Sequence, residues 1–396
     1  MHFSAPICFL NTNDGHGILA VGNGASFTLH HGQDLKELDD FVAENKERYL
    51  FGYLSYSLYN HVFEGQENSF NLPLAHFWAP ASVASIHHDE ITMLQGTDKL
   101  YITSVFNQIK SGKALSLPHF KPRTTKEEYL NKIRKIKEYI QRGDIYETNF
   151  CMEYFVENYV LPCPASLYQL VNQATQAPFS ALLHLPEITL ACGSPERFIQ
   201  KKGKQLLSQP IKGTAPRMKN ALDDEKSKQS LLESKKERAE NAMIVDLVRN
   251  DLSKIALPNS VQVDELFGLY SFKTVHQMIS SISCEVDDSI SFSEIIKATF
   301  PMGSMTGAPK RNAIRFMLEL EDFNREIYSG SIGYIKPGGD FDFNVVIRSI
   351  AYLPESQYLS CSVGSAITIQ ADEEEEYAEC LLKINRLISI LDDEST

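Results

Sequence analysis

Two pairs of glutamates give the first chemical signal in this chain. Glu237 and Glu240 stand three residues apart in the run Lys236-Glu237-Arg238-Ala239-Glu240-Asn241, and Glu376 and Glu379 repeat the spacing. On a helix, residues at i and i+3 share a face, so each pair presents two carboxylates to one place. Oxygen-only donors in pairs suit a hard cation such as magnesium, which keeps waters and binds the oxygens of a substrate. A solvated helix surface would show the same spacing. The apolar run Ile244, Val245, Leu247 and Val248 argues against that for the first pair, because its helix soon enters a core. Glu376 ends a run of four glutamates, so both readings stay open there.

The segment Pro210-Ile211-Lys212-Gly213-Thr214 sets a lysine between an apolar residue and a glycine. Gly213 lets backbone amides approach a ligand, and Thr214 offers a hydroxyl. Lys212 becomes a nucleophile only when neutral, which takes desolvation or cationic neighbours; otherwise it is a surface lysine in a turn. Glu196, in Gly193-Ser194-Pro195-Glu196-Arg197-Phe198, reads as a general acid if it is partly buried, or as an ion-pair partner.

Several elements must position these groups. Thr125 and Glu128 form a capping box, apolar residues follow at Tyr129, Leu130, Ile133, Ile136, Tyr139 and Ile140, and Gly143 stands at the C-terminal cap, which predicts a helix. Helices are also predicted over Asp223 to Arg249, Phe292 to Ala298, Ala308 to Leu320 and Glu373 to Leu391. Strands are predicted over Ile145 to Phe155, Ile188 to Cys192, Phe343 to Ala351 and Leu359 to Val363. Residues 1 to about 110 read as short strands and turns punctuated by glycines, and Ser111 to Thr124 reads as a linker. Two regions follow, a sheet-forming one over 1–118, expected within the same globule, and a second over 119–396. Strands and helices do not alternate one for one, so the expected class is α+β with large, mostly antiparallel sheets and flanking helices.

Composition narrows the partners. The net charge is -13, which argues against nucleic acid or an anionic membrane. Neither a secretory signal nor a run of about 18 apolar residues is read, so a cytoplasmic protein without a membrane span is expected. The cysteines, Cys8, Cys151, Cys163, Cys192, Cys284, Cys361 and Cys380, are scattered and odd in number, which suits reduced thiols. The histidine pairs at 30–31 and 87–88 have no ligand-spaced partners and read as ordinary loop or strand residues.

Taken together, the motifs resemble the chorismate-utilising enzymes. The runs that carry the resemblance are GDIYETNF (143–150), GSPERF (193–198), PIKGTAPR (210–217), ERAENAMIVDLVRNDL (237–252), TVHQMISSI (274–282), FPMGSMTGAPK (300–310), GSIGYI (330–335), VVIRS (345–349) and EEYAECLLKINR (375–386). Their number and order over 125–392 carry the assignment; residues 1–110 match only around Phe51 to Tyr56. The resemblance implies two large antiparallel sheets packed face to face, with the catalytic region in 119–396. It implies Glu240 and Glu379 as magnesium ligands, assisted by Glu237 and Glu376. It further implies Tyr334, Arg348 and backbone amides near Gly364 as the grip on a substrate carboxylate, Lys383 as another cationic contact and Thr214 as a hydroxyl contact. Bound magnesium would also explain how an acidic site accepts a dicarboxylate.

Within that family the chain is most similar to the branch that aminates chorismate to 4-amino-4-deoxychorismate. Water-adding members carry a lysine at the position of Glu147, and anthranilate synthases carry alanine at that of Lys212. The implied route has Lys212 attack ring carbon 2 while Glu196 protonates the hydroxyl leaving carbon 4; ammonia then enters at carbon 4. The resemblance also implies a glutamine amidotransferase partner that supplies ammonia, and a separate lyase that acts downstream toward 4-aminobenzoate. Neither is expected to be fused to the chain. Three positions depart from the family: Glu147, where glutamine is usual; Ala366, where the last glycine of a turn is common; and the pair His276-Gln277, either of which could face substrate. The competing readings are an anthranilate synthase component I and a non-catalytic chorismate-binding or regulatory subunit. Tryptophan feedback is not expected, because Leu231 to Ser234 lies away from the start of the chain, where that signature belongs.

Overall fold

The computed structural model describes residues 6–61 and 72–388. Many strands are apolar on both sides. In Ile7–Asn11, Ile7 and Phe9 join one buried cluster while Cys8 joins another. Phe179–His184 repeats this with Leu182 against Ala181 and Leu183, and Leu50–Leu54 with its two leucines against Phe51 and Tyr53. Successive side chains of a strand point to opposite faces, so such sequences require cover above and below. The result is two antiparallel sheets, of eleven and ten strands among the described residues. They share one buried cluster between them, and helices cover their outer faces. The class is α+β, as the sequence implies. Both sheets take strands from before and after residue 118: Ile7–Asn11 pairs with Phe179–His184 in the first, and Leu50–Leu54 with Ser331–Ile335 in the second.

The helix from Lys126 to Gln141 has the predicted capping box and buries Tyr129, Ile133, Ile136 and Tyr139. Three expectations need correction. The first 110 residues also hold two helices, Lys36–Glu44 and Lys99–Lys110. The second buries Ile102, Val105, Phe106 and Ile109, a helical period present in the sequence that the glycine punctuation upstream obscured. The helix expected over Asp223 to Arg249 is two, Ala221–Glu233 and Lys235–Ser253; Ser234 leaves helical geometry and its hydroxyl accepts from the amide of Glu237, capping the second. The strand expected over Phe343 to Ala351 is also two. Phe341–Asn344 belongs to the second sheet and Ser349–Leu353 to the first. The apolar run Val345-Val346-Ile347 reads as one buried strand, but it is the passage between the sheets. The helix expected to reach Leu391 is described as Glu373–Ile388, and the remainder of that expectation lies outside the described residues.

All of the cysteines are free. Among the described residues no helix is long and apolar enough to cross a membrane.

A buried ion pair braces the floor of the cavity described below. Arg325, with a side chain 1% exposed, lies 2.6 Å from Glu321. Its guanidinium also donates to the carbonyls of Met305 and Asn149, and Glu321 accepts from the amide of Cys151. Arg325→Met would strand the Glu321 carboxylate in the core. The expected loss is about 3–5 kcal/mol of stability, read as a lower urea midpoint; an unchanged midpoint would contradict this account.

Candidate active site

The two passages between the sheets meet at one place. Glu196 lies between the strands Thr189–Ser194 and Arg197–Lys202, which belong to different sheets, and Arg348 lies in the passage from Asn344 to Ser349. They are tied together: the Gly193 amide donates to the Arg348 carbonyl at 2.9 Å, and the Val345 amide to the Glu196 carbonyl at 3.0 Å. Arg348 takes a left-handed backbone, φ +51°, a conformation that costs a non-glycine residue about 1–2 kcal/mol. Around this junction gather the strand Ile211–Pro216, the start of the helix Lys235–Ser253, the end of the strand Tyr358–Ile367 and the helix Glu373–Ile388, enclosing a cavity of about 480 Å³.

Lys212, Gly213, Thr214, Glu196, Glu237, Glu240, Arg348, Gly364, Glu376, Glu379 and Lys383 all line that cavity. Tyr334 does not, which corrects the expectation drawn from resemblance. The strand Ser331–Ile335 sends its ring onto Phe51, with centroids 5.8 Å apart, and Lys336 lies over it. The tyrosine on the cavity wall is Tyr328. Strand alternation decides the His276-Gln277 question. Gln277 lines the cavity with its side-chain oxygen unpartnered, whereas His276 faces away and bonds to Ser271 and Asp224.

Lys212 reaches the cavity from the strand Ile211–Pro216. Its side chain is 11% exposed, and its Nζ lies 3.2 Å from Oε1 of Glu147, itself 1% exposed. Burial opposes the lysine's charge, but Glu147, Glu240 and Glu196 outweigh it and hold its pKa above the ordinary value. The second oxygen of Glu147 has no hydrogen-bond partner among the described residues. Glu196 is buried, and burial pushes its carboxyl up to about 7 against the pull of Ser304, Lys212 and Arg348. A carboxyl poised there holds a proton near neutrality and can release it.

Arg348 has no ion-pair partner among the described residues. Burial and the nearby Arg386 lower its pKa to about 10, and its guanidinium fork matches the geometry of a carboxylate. Gly364 provides access: a Cβ there would lie 2.8 Å from the Cys151 sulfur and 2.9 Å from the Asn149 side chain. Ala366 stands two residues on, still within the ladder opposite Asn149.

The four glutamates share the cavity but differ in company. Glu240 is buried with Oε1 unpartnered, and burial, opposed by Lys212 and reinforced by Glu147 and Glu237, raises its carboxyl to about 7. Burial and Glu379 raise Glu237. Gly213, at φ +88°, lets Glu237 stand close, since a Cβ would meet its Oε2 at 3.0 Å. Glu376 is held by Lys236 at 3.0 Å. Half-exposed Glu379 is held by Lys383 at 2.7 Å, which outweighs burial and lowers its pKa. Lys383 also donates to the Gly364 carbonyl. Among the described residues no three ligating side chains converge into a finished metal cage. The donor set still suits a hard dication: it is all carboxylate oxygen, crowded enough to raise two of its members, with one oxygen orphaned.

Lys236, Ser304, Asn149 and Arg386 also line the cavity and escaped the reading of the sequence. Arg386 was within reach of it, because Glu376, Glu379, Lys383 and Arg386 follow a 3-4-3 spacing along one helix face.

A family described as chorismate binding enzyme matches residues 5–389. The chain belongs to that family. It is 39% identical over 268 residues to aminodeoxychorismate synthase component 1 of Escherichia coli, covering 68% of this chain and 58% of that protein. It is 30% identical to the protein of the same name from Bacillus subtilis, covering 96% and 86%. The chain therefore spans little more than half the length of the enterobacterial relative and most of the Bacillus one. Among solved structures, anthranilate synthase component I from Streptococcus pneumoniae superposes with a TM-score of 0.79 at 23% identity, over 95% of this chain and 92% of that one. The menaquinone-specific isochorismate synthase of Escherichia coli gives 0.73 at 17%, over 98% and 88%. At such identities these likenesses speak for the fold alone.

Proposed function

We propose that this chain aminates chorismate to 4-amino-4-deoxychorismate, with ammonia supplied by a glutamine amidotransferase subunit. A separate lyase would release 4-aminobenzoate downstream, all in the cytoplasm. The observation that carries the reading is Lys212, buried in the family's cavity, 3.2 Å from Glu147 and facing Glu196 and Glu240. An anthranilate synthase is expected to lack that amine.

Arg348 pairs with one substrate carboxylate, its guanidinium fork matching the two oxygens, and Tyr328 and the Gly364 backbone close around it. Glu240 and Glu379, with Glu237 and Glu376, would hold magnesium, whose charge offsets that of a substrate carboxylate in an otherwise acidic site. Glu240 is one of the carboxylates that hold Lys212 protonated, and a cation held there would offset its charge. The proton then passes to Glu147, which becomes a carboxylic acid as Lys212 becomes a free amine. That amine attacks ring carbon 2, the two conjugated ring double bonds shift in concert, and the carbon 4 hydroxyl leaves as water with the proton from Glu196. Ammonia next attacks carbon 4, the two double bonds shift back, and Lys212 departs as a neutral amine while the new amino group is left as ammonium.

The test is product identity. The chain, chorismate, magnesium and ammonium are incubated together and the products resolved by chromatography and mass. A product that aminodeoxychorismate lyase converts to 4-aminobenzoate is expected. Anthranilate, or no turnover with an amidotransferase present, would overturn the reading.

A further inference from the structure

Outside the main cavity, Glu326 is a buried carboxylate with no assigned work. It is 7% exposed, and neither of its side-chain oxygens has a hydrogen-bond partner among the described residues. A carboxylate so placed is costly unless something supplies donors. The neighbouring cations are spoken for. Arg325 is committed to Glu321 and to backbone carbonyls, and Arg123 bonds to Glu153 at 2.6 Å. Glu153, the other carboxylate on the same small cavity, also accepts from Ser360 at 2.7 Å. Burial, with Glu153 adding to it, pushes the Glu326 carboxyl up to about 8.

The cavity that Glu326 faces measures about 30 Å³, room for a particle the size of a water molecule. Its walls include the hydroxyl residues Ser349, Ser360 and Ser362. Ser360, Ser362 and Gly364 point to the same side of the strand Tyr358–Ile367, at intervals of about 7 Å. Ser362 and Tyr328 belong to the walls of both this cavity and the large one. Small residues, Ser360, Ser362 and Gly364, thus line one face of this strand between Glu326 and the catalytic cavity. Above about pH 8, where Glu326 is ionised, its acceptor-only oxygens fit a monovalent cation of water size with several N–H donors.

We propose that Glu326 is the receiving site for ammonium, from which nitrogen passes along Ser362 into the catalytic cavity. The assignment of the ion to catalysis rests on the amination reading. On arrival the ammonium ion pairs with the Glu326 carboxylate. On departure it leaves one proton there, forming a carboxylic acid, and moves on as neutral ammonia; that proton returns to solvent before the next ion binds.

Steady-state kinetics with ammonium chloride as the nitrogen source, at constant ionic strength and a fixed pH just above 8 where Glu326 is ionised, test this. Glu326→Gln keeps the side-chain volume and is expected to raise the KM for ammonium about tenfold or more, with the KM for chorismate and the product unchanged. An unaltered KM for ammonium would overturn the proposal. A second measurement needs neither turnover nor a well-folded variant: without chorismate, the wild-type Tm should rise with ammonium chloride relative to tetramethylammonium chloride. Equal Tm values in the two salts, or an equal rise with potassium chloride, would overturn an ammonium site. A wild-type chain that turns over no chorismate but shows the ammonium-specific rise would remove the reaction reading and leave the binding site standing.

Discussion

Lys212→Ala is expected to lower formation of 4-amino-4-deoxychorismate by at least about 10³-fold, the scale on which removal of a covalent nucleophile is felt. The variant leaves the rest of the cavity in place, including Arg348 and the four glutamates, so chorismate binding should survive. What it removes is the amine that, on the proposed route, occupies ring carbon 2 and directs ammonia to carbon 4. Ammonia that reaches carbon 2 directly would give anthranilate instead, so residual turnover should shift toward that product. Chromatography of both products from the same reaction reads the two effects together. Full retention of the original product would show that Lys212 orients ammonia without bonding to the ring. The side chain's position, 11% exposed and 3.2 Å from Glu147, argues for the covalent role, since an acceptor for its proton is already in contact.

Glu196→Gln should reduce kcat by about 10²–10⁴-fold, the usual contribution of a positioned acid. The hydroxyl at carbon 4 cannot leave as hydroxide near neutral pH, and glutamine has no proton to give. The pH dependence carries the sign. Burial raises the Glu196 carboxyl to about 7, so the acid form is present below that value and is depleted as pH rises through it. At a constant concentration of free ammonia, wild-type kcat should therefore fall on the alkaline side with a pKa near 7, and that limb should vanish in Glu196→Gln. A limb that persists in the variant would assign the titration to another group.

Much of the site was legible because its chemistry lies in short contiguous runs. The i, i+3 glutamate pairs announce shared helix faces, and the real helices Lys235–Ser253 and Glu373–Ile388 deliver them to one cavity. Lys212 and Glu196 were legible as residue types beside a glycine and a proline, although nothing local states that they face each other. Tyr334 shows the limit of motif reading. Two tyrosines stand six residues apart in Tyr328 to Tyr334, and only the packing of one against Phe51 shows which is unavailable. His276 and Gln277 were an open choice for the same reason: a strand sends neighbours to opposite faces, and the sequence does not say which face is the cavity.

The sequence by itself determined the local elements, the caps, the two-faced apolar strands and the set of acids and bases. The tertiary structure decided what depends on distant segments meeting. Val345 to Ile347 has the composition of a strand interior, yet it is spent on crossing between sheets, and that crossing carries Arg348 to Glu196. The ion pairs Lys212–Glu147, Lys236–Glu376 and Lys383–Glu379 set the local field, and the first two join residues far apart in the chain. Burial, which raises Glu196, Glu240 and Glu326, is a property of the packed sheets and of no single segment. Local sequence fixes which groups can titrate; the desolvation and the neighbours that move their pKa values exist only once the two sheets close over them.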